Sequence, residues 1–387
     1  MKKLFTVLLA LMVAGSLFAG GGSDSSASGS KGLIGIAMPE THVQRWYKDG
    51  NTLKAEAEKR GYTALVQWAD ANQLIQNGQI ESYLLQGAKL LIVGCISDGV
   101  TTQVANARRD GVPVIAYDRI ISNSADYDYF ITFNNFNVGE VQGRAIEEAL
   151  NLRTASASNP KRIALFAGSA TDGNAFFFFD GAMSILNPYV DSGALVIVGP
   201  APRNSSDTAN FLRICTENWQ APIAKTRMEN LLIGDARSVT LDAVLAPNDP
   251  IARAIIEALR ADTKYRTSLP VVTGQDAEID SMASIATGGQ YMTVFKDTAK
   301  LAEAAMILAE QVLAGRTADQ IQVPGAVVAS TIGLGAIGDT GRKQVTTFLL
   351  SVTPVTRTSN FTAPFAAGFY AEAEWRAAGF TNANGGR

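Results

Sequence analysis

Ten apolar runs of strand length recur along the chain, at residues 33–38, 64–68, 90–93, 112–116, 129–133, 163–166, 195–198, 243–245, 271–273 and 292–295. Amphipathic stretches separate most of them. In residues 138–150, Val138, Val141, Ala145, Ile146, Ala149 and Leu150 share one helical face, and residues 298–313 repeat the pattern through Leu301, Ala304, Ala305, Ile307 and Leu308. Short, nearly uninterrupted apolar strands alternating with helices predict an α/β protein whose parallel sheets are covered on both faces. The 387 residues allow two domains of about 100–200 residues each. Two shorter sheets are favoured over one sheet of ten strands, so the pattern reads as two α/β lobes.

Composition removes whole classes of chemistry. His42 is the single histidine, and the two cysteines are Cys95 and Cys215. Zinc sites need a cluster of Cys, His or carboxylate ligands, and none is visible; no calcium loop of the DxDxDG kind occurs either, so no metal is expected. A nucleophile–base triad could use only His42, and no GxSxG elbow accompanies it. The net charge is −3 and there is no basic run, which argues against a nucleic-acid partner. The cysteines read as two lone buried thiols in preference to a bridge, since they fall in different presumptive lobes.

The N-terminus reads as an address. Lys2 and Lys3 precede an apolar run at residues 4–14 and a small-residue cleavage point near Ala19, which is a secretory signal over residues 1–19. Residues 20–31 (GGGSDSSASGSK) have the composition of a flexible linker. Residue 20 is Gly, so no lipobox cysteine is present, and a soluble, exported, periplasmic protein is expected.

Open α/β sheets bind ligands beyond the carboxyl ends of their strands. Gln44, Arg45 and Trp46 follow the first run, and Tyr117, Asp118 and Arg119 follow the fourth. Residues 168–179 (GSATDGNAFFFF) follow the sixth. Asn248 and Asp249, then Gly274, Gln275 and Asp276, then Lys296 follow the last three. Carboxylates, amides, cations and aromatics recur here without a nucleophile–base pair. That set suits a polyhydroxylated ligand, because carboxylates and amide oxygens accept from its hydroxyls, cations and amides donate to them, and aromatic faces cover its C–H faces. Each residue also has a plainer reading: Asp172 and Asp249 as helix caps, Asp118 and Arg119 as an ion pair, residues 176–179 as mostly core, and Trp46 and Trp219 as packing groups.

The phrases RWYKDGN (45–51), QIESYLLQGAKLLIV (79–93), VIAYDRII (114–121), FNNFNVGEVQ (133–142), NAFFFFDGAMSILNPYVDSG (174–193), GQDAE (274–278) and VFKDT (294–298) carry a resemblance. The sequence resembles the type I periplasmic sugar-binding proteins of ABC transporters, in particular the multiple-sugar-binding and xylose-binding branches, from about residue 32 to 313. The resemblance implies two Rossmann-like lobes with parallel sheets joined by three crossovers, near residues 133–135, 293–296 and 350–354. The N-terminal lobe would then comprise residues 32–133 and 295–350, and the C-terminal lobe 134–294 and 351–387.

It further implies a monosaccharide, a pentose or hexose pyranose, held in the cleft. Arg45, Trp46, Asp118 and Arg119 would bind it from the first lobe. Asn174, Phe176 and Trp219 would bind it from the second, with Asn248, Asp249, Asp276 and Lys296 completing the polar shell. The implied partners are an ABC permease and a chemoreceptor or sensor kinase; the implied state is a monomer without cofactor or catalytic activity. Asp172-Gly173-Asn174-Ala175 departs from the family's Asp-Asn-Asn-Ala, and His42 and Gln44 lie in a variable stretch that could tune specificity.

Rival readings are a binder of another small polyhydroxylated signal molecule, a repressor's sensing half, and an NAD-dependent oxidoreductase. The repressor would need an N-terminal helix-turn-helix where the secretion signal stands. The oxidoreductase finds a GxGxxG at residues 333–338, but no acidic residue stands about 20 positions on, so the motif reads as a decoy.

Overall fold

In the computed structural model, which describes residues 30–387, the apolar runs become strands whose two faces feed separate cores. The signal-peptide expectation and all but the last two residues of the linker lie outside the described residues. The chain begins β1 (Leu33–Met38), α1 (Arg45–Lys59), β2 (Thr63–Trp68), α2 (Gln73–Leu85), β3 (Leu90–Val93), α3 (Thr101–Arg109), β4 (Val114–Tyr117) and β5 (Tyr129–Phe133). Ile34, Ile36, Leu90, Ile92, Ile115 and Ile131 face one core, while their neighbours Ala37, Leu91, Val93, Val114 and Phe130 face another. Strand side chains alternate between faces, so a strand covered on both sides must be apolar throughout. That is why these segments read as unbroken runs.

The chain then leaves this layer through α4 (Asn135–Ala149), β6 (Lys161–Leu165), α5 (Gly173–Asp191), β7 (Leu195–Ile197), α6 (Thr208–Ile214), α7 (Ala221–Ile233), β8 (Ala243–Leu245), α8 (Asp249–Ala261), β9 (Val271–Val272), α9 (Ile279–Ala286) and β10 (Met292–Phe295). It returns as α10 (Thr298–Leu313), β11 (Ala326–Val328) and β12 (Thr346–Leu350), and ends as β13 (Thr353–Thr356), α11 (Ala363–Ala366) and α12 (Glu372–Ala377). The larger sheet has the order β11-β12-β5-β4-β3-β1-β2, and the smaller β7-β6-β8-β9. Helix α10 packs on α1, β4 and β5 and so belongs with the larger sheet.

Two strand pairs depart from the expected parallel pattern: β11 runs antiparallel to β12, and β10 antiparallel to β13. Antiparallel neighbours need no helical crossover, and these strands have only three to five residues with no helix between β12 and β13. Strand β10 continues the smaller sheet irregularly: Tyr291 N donates to Val272 O at 3.1 Å, and Asp276 N to Val294 O at 2.8 Å. The links after β5, β10 and β12 run together, since Phe133, Phe295, Leu350, Ser351 and Thr353 line one cavity behind the cleft.

Helices α4 and α5 cross in very close contact. A Cβ on Gly139 would lie 1.9 Å from the Phe178 carbonyl, and one on Gly181 2.0 Å from the Phe136 carbonyl. The buried face of α4 is therefore Asn135, Val138, Gly139, Gln142, Gly143 and Ile146, rotated from the expected face, which put Val141, Ala145 and Ala149 inside; those three are half-exposed. Gly335–Gly338 form a short 3-10 turn, followed by an isolated pairing of Asp339 with Gln344 and then β12. No helix begins where a dinucleotide fold would need one. Both cysteines are free; Cys95 is buried as expected, but Cys215 is half-buried.

Candidate functional site

The carboxyl ends of the strands converge on a narrow cavity between the two sheets. It is lined by Val43, Arg45, Trp46, Asp118 and Arg119 from the larger-sheet side, and by Asp172, Asn174, Phe178, Trp219, Asn248, Gln275, Asp276 and Lys296 from the smaller-sheet side and its last strand.

Arg45 and Trp46 open α1, directly after the β1 loop. Arg45 donates to Asp49 Oδ2 at 2.7 and 2.9 Å, lies 2.8 Å from Asp118 Oδ1, and approaches Asp276 at 3.9 Å. Burial works against its charge, but Asp118, Asp49 and Asp276 more than compensate and raise its pKa. Burial also opposes the charge on Asp118, yet Arg45, Lys296 and Arg119 hold that carboxyl below the usual carboxylate range. Asp49 behaves differently: burial pushes it up to about 6, even beside Arg45.

Arg119 is held between two carboxylates, Glu40 at 2.9 Å and Asp172 at 2.9 Å, and donates to the Cys95 carbonyl at 3.3 Å. Lys296 pairs with Asp276 at 2.9 Å. Every cation of the cavity thus has its counter-charge within the site, as buried charges require. Arg45 and Arg119 lie 4.8 and 4.9 Å from the Trp46 ring, which makes the indole a seat for both guanidinium groups.

On the opposite wall, Asp172 caps α5 by accepting from Asn174 N at 2.9 Å and also accepts from Trp219 Nε1 at 3.2 Å. The cap reading and the site reading of Asp172 both hold geometrically. Asn174 Oδ1 accepts from Asn135 at 2.7 Å, which fixes the amide so that Nδ2 donates to the Asp118 carbonyl at 2.8 Å across the cleft. Asn248 caps α8 through Ile251 N at 3.2 Å. Trp219 fits against Gly168, where a Cβ would strike the ring at 2.0 Å.

Three cavity residues have left-handed backbone: Asp118 at φ 62°, Trp219 at 57° and Asp276 at 93°. Such conformations cost about 1–3 kcal/mol each and cluster at functional sites. Several buried atoms also lack an aligned hydrogen-bond partner: Asp118 Oδ1, Arg119 Nε, Gln275 Oε1 and Asp276 Oδ1. Three of them have an ionic neighbour within 3 Å, but out of hydrogen-bond alignment. Hydrogen-bonding capacity therefore points at the cavity from both sides.

Two expected site residues lie elsewhere. Phe176 packs on Phe211 with ring centroids 5.0 Å apart, and Phe178 takes the cavity position. With α5 starting at Gly173, Asn174 and Phe178 are one turn apart on the same face, while Phe176 points away. Asp249 is fully buried behind the wall: its Oδ1 accepts from Gln290 at 2.7 Å and its Oδ2 from Glu278 N at 2.8 Å. It fixes the loop that presents Gln275 and Asp276, and burial pushes its carboxyl up to about 8, against the pull of Arg253.

Asp172, Phe178 and Gln275 stood among the strand-end residues but outside the expected sugar-binding set, while Val43 as a lining residue, and Glu40 and Asp49 as holders of the arginines, went unread. The i,i+4 spacing of Arg45 and Asp49 was the available signal for one of these.

The family model for the periplasmic binding protein domain matches residues 34–317. The chain is 36% identical to the multiple sugar-binding periplasmic protein SbpA of Azospirillum brasilense over 97% of this chain and all of that one. It is 34% identical to the D-xylose-binding periplasmic protein of Escherichia coli K12, over 71% of this chain and 76% of the relative. A solved ABC transporter solute-binding protein from Clostridium phytofermentans, with bound β-D-glucose, superposes with a TM-score of 0.78 at 34% identity, covering 89% of this chain and 99% of that one.

Proposed function

The chain belongs to the periplasmic binding protein family, and on that premise we propose that it captures an aldose monosaccharide between its two lobes and delivers it to an ABC sugar importer. The observation that carries this reading is the cavity itself. Cations and carboxylates there are mutually compensated, so the site matches a neutral ligand, while Asp118 Oδ1, Asp276 Oδ1, Gln275 Oε1 and Arg119 Nε offer acceptors and a donor to hydroxyls. The walls of Trp46, Phe178 and Trp219 supply apolar surface for the C–H faces of a sugar ring.

The mechanism follows from which lobe holds which group. Arg45, Trp46, Asp118 and Arg119 stand on one lobe; Asp172, Asn174, Phe178, Trp219, Asn248, Gln275 and Asp276 stand on the other. A ligand bonded to both sets binds the closed form better than the open one and shifts the hinge equilibrium toward closure. The closed outer surface is then what a permease recognises, and a chemoreceptor or sensor kinase could read the same surface. A residue whose hydroxyl partner is absent from the wrong sugar is left buried and unpaired, which makes discrimination sharp. The chain acts as a monomeric binder and not an enzyme, and its working compartment is the periplasm.

Alanine at Arg119 or at Asp276, followed by tryptophan fluorescence titration with D-glucose, D-galactose, D-xylose and L-arabinose, tests the assignment. Loss of the sugar-dependent signal in both variants supports it; unchanged affinity in either removes that residue from the site.

A further inference from the structure

Two polar contacts cross the cleft outside the cavity, and neither uses a cavity-lining side chain. On the Asp276 side, Lys48, one turn beyond Arg45 on α1, reaches the C-terminal segment. Its Nζ lies 3.0 Å from Glu374 Oε1, donates to the Phe369 carbonyl at 3.2 Å, and sits 4.8 and 5.0 Å from the Phe369 and Tyr370 rings. That segment is an aromatic cap: Phe365, Tyr370, Trp375 and Phe380 pack with Phe295, Met282 and Ala277 of the smaller lobe. The Tyr370 hydroxyl donates to the Ala277 carbonyl, the residue next to Asp276. The cap lies beyond residue 317, where the family match ends.

On the Trp219 side, His42 Nε2 lies 3.2 Å from the Asn218 carbonyl and 3.4 Å from Glu40 Oε2. Both neighbours are acceptors, so this nitrogen carries a proton and donates across the cleft. Asn218 itself is left-handed, at φ 47°, and immediately precedes Trp219. Glu40 connects the contact to the cavity, because its other oxygen holds Arg119 at 2.9 Å.

We propose that the cleft is latched at both rims, by Lys48 on the C-terminal aromatic cap and by His42 on the Asn218 carbonyl, and that these two positioning residues set how slowly a bound ligand leaves. The latch is a property of the closed lobes, and only its effect on residence time rests on the sugar-binding reading. Partly exposed ion pairs and hydrogen bonds of this kind are modest singly, so each should slow dissociation by about 2–5-fold, and the two together by about tenfold. Association, which starts from the open form, should not change.

The test uses the full chain with Lys48→Met, which keeps the stem over the rings but loses the charge, His42→Ala, His42→Gln, which retains a donor near the same place, and the double Lys48→Met/His42→Ala variant. Glu374→Gln approaches the first latch from the opposite lobe. Acrylamide quenching of tryptophan in the ligand-free protein reads cleft opening directly, because Trp46 and Trp219 are only 2% and 6% exposed in the closed form. Higher quenching in the double variant, partial effects in Lys48→Met and Glu374→Gln, and near-recovery in His42→Gln support the latch. Stopped-flow dissociation of D-glucose should then be about tenfold faster in the double variant with an unchanged association rate. Equal quenching in wild type and double variant overturns the latch whatever the ligand. A normal quenching response with no binding of D-glucose, D-galactose, D-xylose or L-arabinose in any of the proteins counts against the ligand reading and leaves the latch standing.

Discussion

Both lobes bring three charged side chains to the cavity, Arg45, Asp118 and Arg119 from the larger and Asp172, Asp276 and Lys296 from the smaller side, but the smaller side adds amides and most of the aromatic surface. Arg45 and Arg119 arrive from the larger sheet already clamped by Asp49 and Glu40 of the same lobe. The smaller sheet contributes Asn174, Phe178, Trp219, Asn248 and Gln275, held by helix caps, by the close crossing of α4 and α5, and by left-handed backbone at Trp219 and Asp276. The larger, charged wall is thus fixed mainly by ion pairs within its own lobe, whereas the smaller, geometric wall adds helix caps and a close helix crossing to its Lys296–Asp276 pair. The two should fail differently when damaged.

The largest effect is expected on the charged wall. Arg119→Ala leaves Glu40 and Asp172 buried without their partner, at a cost of about 3–5 kcal/mol, and it should abolish ligand binding as well. Urea unfolding and calorimetric titration check both. On the geometric wall, Gly139→Ala forces α4 away from α5, costing about 1–3 kcal/mol through overpacking. Because α5 carries Asn174 and Phe178, its affinity loss should exceed that of core changes in the other sheet that bracket its cost, Ile92→Val at about 0.5–1.5 kcal/mol and Ile92→Ala at about 2–5 kcal/mol. Equal losses would mean the α4–α5 crossing does not position the site.

A third difference concerns protons. Asp249, behind the geometric wall, keeps its proton up to about 8 in the folded chain, against about 4 when unfolded. Its neutral burial is therefore most stable below the unfolded value, and that stability is lost as pH rises through 8. Asp49, behind the charged wall, moves in the same direction but only to about 6. Thermal midpoints should fall between pH 6 and 8, and Asp249→Asn should flatten that part of the curve while Asp49→Asn leaves it in place. The smallest effect separates two neighbours: Phe178→Leu should weaken ligand binding several-fold, and Phe176→Leu should leave it nearly unchanged although it trims the Phe211 contact.

The charged wall was the more legible in the sequence. Asp118 and Arg119 sit directly after an apolar run and Arg45 one short loop after another, and a strand end is a position that a one-dimensional pattern locates well. The geometric wall depends on helix phase. Choosing Phe178 over Phe176 requires knowing that α5 starts at Gly173, and in a run of four phenylalanines the apolar pattern carries no phase. Asp249 looked like a ligand group because it follows a strand, but as the first residue of α8 it turns inward to Glu278 and Gln290. Strand β13 was invisible because its four residues, only one of them buried, produce no periodic signal. The contacts of Lys48 and His42 join residues 321 and 176 positions apart, a separation no local pattern encodes.

Isothermal titration of the purified protein with neutral pentoses and hexoses and with uronic acids decides whether the cavity holds a neutral sugar. At least one neutral aldose should bind one-to-one well below millimolar, and uronic acids more weakly, because every cation in the cavity already has a carboxylate beside it. The absence of any monosaccharide binding tighter than millimolar would contradict the sugar-binding reading.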